Sequence, residues 1–103
     1  MSDRKNNRGK IEIMADVLDL STSGIKKTHI MYRANLSYEQ ILFYLNELLS
    51  KALLAQDVSE DSVIYRTTDK GREFLRCYAN MAELLKEGDA IVSTEEAIPV
   101  ISA

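Results

Sequence analysis

At 103 residues, 46% hydrophobic and 28% charged with a net charge of −3, the chain has room for one folded domain, and a wholly disordered, collagen-like or mucin-like chain is excluded. The longest apolar run, Ile41 to Leu45, is far short of the roughly 20 residues of a membrane-spanning helix, and Met1 to Lys10 is polar and basic with no apolar stretch behind it. A cytoplasmic protein without a membrane segment or an export signal is expected.

Lys10 to Leu20 sets Ile11, Met14, Val17 and Leu18 at helical spacing before the polar stop Ser21-Thr22-Ser23-Gly24, which predicts a first helix. Lys26 to Ala34 predicts a short second helix with Ile30 and Met31 on one side, closed by Asn35, a residue suited to the left-handed conformation of a helix end. Ser37 has Gln40 three residues on, the pattern of a capping box, and opens a third helix from Tyr38 to Ala52 with the stripe Ile41, Leu45, Leu48, Leu49 and Ala52. Leu53 to Val58 and Ser62 to Thr67 then read as a β-hairpin around Ser59-Glu60-Asp61. Thr68 caps a last helix from Asp69, where Phe74, Leu75, Tyr78, Met81, Leu84 and Leu85 form an apolar stripe that Gly88 terminates. These elements make one domain over residues 8–87, its last helix at 69–87, followed by a tail over 88–103 without helical pattern.

Cys77 and His29 are the only cysteine and the only histidine, so one chain assembles no disulfide, thiolate zinc site or two-histidine metal site. Cys77 falls on the apolar stripe of the last helix and reads as a small hydrophobe. Gly9, Gly24, Gly71 and Gly88 are too scattered for a phosphate loop. No titratable pair has the spacing that acid/base chemistry requires, so neither an enzyme, a metal nor a cofactor is expected.

Charge is unevenly spread. Residues 1 to 33 carry +3 and residues 34 to 103 carry −6, so a basic face near the N-terminal half coexists with an acidic remainder.

Three helices, a hairpin and a fourth helix is the order of a winged helix-turn-helix, an α+β but mainly helical fold with a two-stranded wing and a long C-terminal helix. The stretch KKTHIMYRANLSYEQILFYLNELLSKALL, followed by YRTTDKGREFL, resembles the small archaeal winged helix-turn-helix proteins that are predicted transcriptional regulators, some of which dimerise through a long C-terminal helix. The resemblance covers about residues 8 to 86, most specifically Ile30 to Tyr38 and Thr68-Asp69-Lys70-Gly71. It implies binding of double-stranded DNA by the third helix and a role in regulation.

In such an arrangement Ser37, Tyr38, Glu39, Gln40 and Phe43, at the start of the third helix, would approach base edges or phosphates. Gln40 could read an adenine or serve only the cap, and Tyr38 and Tyr44 could instead be half-buried supports of the core. Lys26, Lys27 and Arg33 would supply charge to phosphates, and Arg66 on the hairpin would reach the backbone or minor groove. Against this pattern, steps of 100° place Phe43 about 200° from Ile41, on the outer face between Glu39 and Glu47, where the family more often carries lysines. The wing tip likewise holds Glu60 and Asp61. Phe43 could meet a thymine methyl group or serve as a docking spot for a protein partner, which makes a winged-helix interaction module the alternative function. On the last helix Phe74, Cys77, Met81 and Leu84 follow the spacing of alternating a and d positions, widened by Tyr78 and Leu85, and predict a homodimer seam.

Overall fold

The computed structural model describes residues 8–92, with side chains to Lys86. Its elements are α1 (Lys10–Leu20), α2 (Lys27–Ala34), α3 (Tyr38–Ser50), β1 (Leu54–Val58), β2 (Val63–Thr67) and α4 (Asp69–Val92). The fold is a mainly helical winged helix-turn-helix with a two-stranded antiparallel wing, as its element order predicts.

Local chemistry sets most of the boundaries. Asn35 takes the left-handed conformation (φ 58°, ψ 54°) that ends α2, and the Leu36 N–H turns back to the Met31 carbonyl at 3.0 Å. Ser37 Oγ accepts from the Gln40 N–H at 3.1 Å while Gln40 Oε1 accepts from the Ser37 N–H at 2.9 Å, a reciprocal capping box that opens α3. Thr68 Oγ1 accepts from the Gly71 N–H at 3.0 Å and so caps α4.

Inside, Val17, Leu18, Ile30, Ile41 and Leu48 are fully enclosed, and Tyr44, Leu53, Leu54 and Tyr65 close the core from the α3 and wing sides. Tyr44 is thus a core aromatic, as its alternative reading held. The two buried hydroxyls are satisfied: Ser21 Oγ donates to the Val17 carbonyl at 2.7 Å and Thr67 Oγ1 to the Leu18 carbonyl at 2.6 Å.

In the wing Leu54 pairs with Thr67 and Val58 with Val63, and the tip is closed by the Ser59 N–H to the Ser62 carbonyl at 2.9 Å. Ile25, in the α1–α2 connection, adds one further rung by exchanging both backbone hydrogen bonds with Tyr65. Gly24, beside it, has φ +96°, and the Arg66 guanidinium lies against its Cα where a Cβ would stand.

Three boundaries differ from the sequence reading. Lys26 is the N-cap of α2 rather than its first turn. Ala52 does not continue the α3 stripe: it is exposed at φ 61°, because the Leu53 N–H bonds back to the Leu48 carbonyl at 2.9 Å and swings Leu53 into the core. Gly88 does not terminate α4, which runs through it to Val92; a glycine inside a helix costs only about 1 kcal/mol, too little to stop it. Residues 93–103 of the expected tail lie outside the described residues. No helix among the described residues is long and apolar enough to cross a membrane.

Gly71 is where α4 meets the end of α3 most closely. A Cβ there would stand 2.2 Å from the Leu53 carbonyl oxygen and 2.6 Å from Thr67 Cγ2. Gly71→Ala is therefore expected to cost at least about 2 kcal/mol, a fall of roughly 8 °C or more in the melting temperature measured by calorimetry.

Candidate functional site

The turn Asn35-Leu36-Ser37 holds α2 and α3 as a helix-turn-helix, with Leu36 buried beneath it. The outer face of α3 carries Tyr38, Glu39, Leu42, Phe43, Asn46 and Ser50, all exposed. Tyr38 is 59% exposed, Phe43 47% and Leu42 38%, so the helical phase puts Phe43 outside as the 100° steps require. The Phe43 ring meets Tyr44 edge-on, centroids 5.1 Å apart, which fixes its tilt on the surface.

Two ammonium groups border this face. Lys27 Nζ sits 5.5 Å from the centre of the Tyr38 ring, and Lys10 Nζ sits 5.3 Å from that of Phe43. Lys27 starts α2, and Lys10 starts α1, so elements flanking α3 supply the cations that α3 itself lacks. Lys10 is a residue the sequence reading left out, since nothing in the periodicity of α1 shows that its first turn reaches α3. Tyr32, 79% exposed on α2, was likewise taken only as part of a motif.

Lys26, His29 and Arg33 line one side of an open hollow of about 540 Å³ that Asp19 and Ile64 also border, so this basic group lies between α2, the α1–α2 connection and the outer half of β2. Arg66 is placed differently. Its guanidinium donates to the Ser23 carbonyl at 3.2 Å and lies 3.6 Å from an Asp57 carboxylate oxygen, tying β2 to the α1–α2 connection. Gln40 spends its side-chain oxygen on the cap and keeps its amide N–H groups for other contacts.

On α4, Phe74 and Leu75 pack against the core, whereas Met81, Leu84 and Leu85 are exposed. Phe74, Cys77, Tyr78 and Met81 form with Ile11 a shallow apolar hollow of about 180 Å³. Cys77 is exposed there instead of packed in the domain's own core. The predicted seam residues therefore divide: Phe74 packs on the core and Tyr78 is half-buried, whereas Cys77, Met81, Leu84 and Leu85 are exposed.

The lower end of α3 holds a charge pair. Lys51 Nζ donates to Glu47 Oε1 at 2.8 Å, and this bond and the charge behind it, helped weakly by Lys10, hold the Glu47 carboxyl below the ordinary glutamate value against a slight desolvation effect. A depressed carboxyl contributes stability above that range and loses it as pH falls through the lowered value. Replacing Lys51 by Met is expected to move the Glu47 midpoint upward in an NMR titration of side-chain carboxyls, with little change in melting temperature because the pair is exposed.

Comparison with solved structures finds the same fold in other proteins. The chain matches Sso10a-2, a DNA-binding protein from Sulfolobus solfataricus, with a TM-score of 0.68 and 26% identity over 93% of this chain and 98% of that one. It matches FabT of Streptococcus pneumoniae, solved in complex with DNA, with a TM-score of 0.62 and 19% identity over 97% of this chain and 75% of that one. The PcaV transcriptional regulator of Streptomyces coelicolor follows with a TM-score of 0.59 and 16% identity, over 87% and 74%. No curated protein sequence matches. A winged helix-turn-helix profile covers residues 7–86, and the chain belongs to that family.

Proposed function

We propose that this protein is a cytoplasmic, non-catalytic transcriptional regulator that binds double-stranded DNA through α3 and acts as a homodimer through α4. The observation that carries the reading is the pair of ammonium groups, Lys10 and Lys27, set beside the exposed Phe43 and Tyr38 rings of α3. A helix-turn-helix inserts the start of its second helix in the major groove, so cations at its margins meet the flanking phosphates. Ser37, Tyr38, Gln40 and Phe43 then face bases or phosphates, with Lys26, Lys27 and Arg33 along the backbone and Arg66, from the wing, toward the backbone or minor groove. The likeness to Sso10a-2 across nearly its whole length supports the same partner.

Each lysine that leaves a phosphate contact lowers the slope of log K against log salt by about 0.9. The Lys26→Ala, Lys27→Ala double variant is expected to lose nearly two units of slope in a fluorescence titration with duplex DNA. Parental affinity and slope in that variant would take both residues out of the interface.

A second reading rests on Phe43 standing exposed between Glu39 and Glu47. These features also suit a protein partner, which makes an interaction module the alternative. Retention of DNA at physiological salt by the parental protein favours the first reading.

The length of α4 supports the dimer reading. Its 24 residues rise about 36 Å, and Met81 lies roughly 18 Å beyond Asp69, past the core that covers Phe74 and Leu75. Burial of Met81, Leu84 and Leu85 against a second copy contributes about 1.5 to 3 kcal/mol each per chain before association costs. Twofold pairing also sets two α3 helices toward half-sites about one DNA turn apart. Light scattering at micromolar concentration is expected to show a dimer for the parental chain and a folded monomer for Met81→Glu, Leu84→Glu; a monomeric parental chain would end the dimer proposal.

A further inference from the structure

The outer surface of α3 has an unusual composition for a helix that meets DNA. Between Tyr38 and Ser50 there is no arginine and no lysine, so the commonest specific contact, a cationic side chain on the O6 and N7 acceptors of guanine, cannot be made from this helix. Its exposed middle is apolar instead, with Leu42 one turn beyond Tyr38 and Phe43 one turn beyond Glu39.

The remaining polar side chains narrow the choice of base pair. Asn46 is exposed one turn after Leu42, and an asparagine amide fits the N6 and N7 edge of adenine. Glu39, exposed one turn before Phe43, accepts from amino groups and opposes the acceptor edge of guanine. Only an A·T pair offers a methyl group, an amino donor and no guanine acceptors in the major groove. The two ammonium groups at the edges of the face, Lys10 and Lys27, complement phosphates on both sides of a groove occupied by such a surface.

We propose that α3 selects A·T pairs by reading the C5 methyl group of thymine, with Leu42 and Phe43 as the methyl-contacting residues and Asn46 selecting the partner adenine. The inference rests on duplex binding by α3 and adds what is read there. Specificity comes from methyl burial, while affinity comes from cations outside the helix.

Uracil differs from thymine by that methyl group alone, so the test compares A·T-rich duplexes containing thymine or uracil, using the full-length chain. Each contacted methyl is expected to be worth roughly fourfold in affinity, the equivalent of about 0.8 kcal/mol. Leu42→Gln and Phe43→Gln, checked for an unchanged melting temperature, are each expected to reduce the thymine-to-uracil ratio. 5-Methylcytosine carries the same methyl group, and a G·C duplex with and without it separates the two sources. Guanine acceptors facing Glu39 are expected to make the methylated G·C duplex bind more weakly than the thymine-containing A·T duplex, and equal affinity for the two would overturn the assignment to A·T pairs. Salt-sensitive binding that treats thymine and uracil alike would overturn this inference and leave DNA binding standing. Failure to retain any duplex would overturn both. A Phe43→Gln variant with native affinity and a native thymine-to-uracil ratio would remove Phe43 from the DNA face and leave it to a protein partner.

Discussion

The arrangement depends on one short junction, residues 51–53, where α3 stops, the wing begins and α4 is anchored. The Leu53 N–H bonds back to Leu48, the Leu53 carbonyl accepts from the Thr68 N–H at 3.1 Å, and Thr68 Oγ1 donates to the Ala52 carbonyl at 2.7 Å. Lys70 Nζ adds a bond to the Lys51 carbonyl at 2.8 Å. Three consecutive carbonyls thus leave α3 for the first residues of α4, and the α4 backbone must come within reach of Leu53, which only a residue without a side chain at position 71 allows. Ala52 accepts a left-handed backbone to make this possible, a strain of roughly 1 to 2 kcal/mol offset by burying Leu53 and Leu54. Because the base of the wing and the start of α4 share these bonds, the angle between the outer face of α3 and the α4 surface is set in a single place.

Electrostatics takes second place to geometry in this chain. A net charge of −3 works against approach to a polyanion, yet Lys10 of α1 and Lys27 of α2 stand beside α3. The aromatic rings hold Lys10 and Lys27 at the rim, so the long side chains are partly ordered before any partner arrives and lose less freedom on binding.

Much of this was legible because the signals are local. Asn35, the Ser37/Gln40 pair and Thr68 act within three or four residues of themselves, and the sequence pattern places each where it is found. The phase of α3 likewise follows from the spacing of Ile41, Leu45 and Leu48, which is why Phe43 comes out exposed. Ala52 was misread because its conformation answers to Leu53, Thr68 and Gly71 rather than to helix propensity. Gly88 was misread because glycine is a weak stop when flanking residues favour the helix. The settings of Arg66 and Lys10 were not legible at all: Arg66 finds Ser23 across 43 residues, and Lys10 finds Phe43 through the packing of α1 on α3. Such long-range meetings depend on the assembled core, not on any window of sequence.

The rung between Ile25 and Tyr65 has a mechanical meaning. An isolated two-stranded ribbon is marginally stable in water, and here it is clamped at its inner end by Ile25, by the Thr67 N–H to the Ser21 carbonyl at 3.0 Å and by the Arg66 guanidinium on Ser23. Past Tyr65 only the Asp57–Ile64 and Val58–Val63 pairs and the tip remain. The wing is thus supported along one edge: Val63 packs on the core and Ile64 is half-buried, whereas β1 is exposed from Ala55 to Val58, so a partner pressing on the β1 side pushes the ribbon onto the domain rather than away from it.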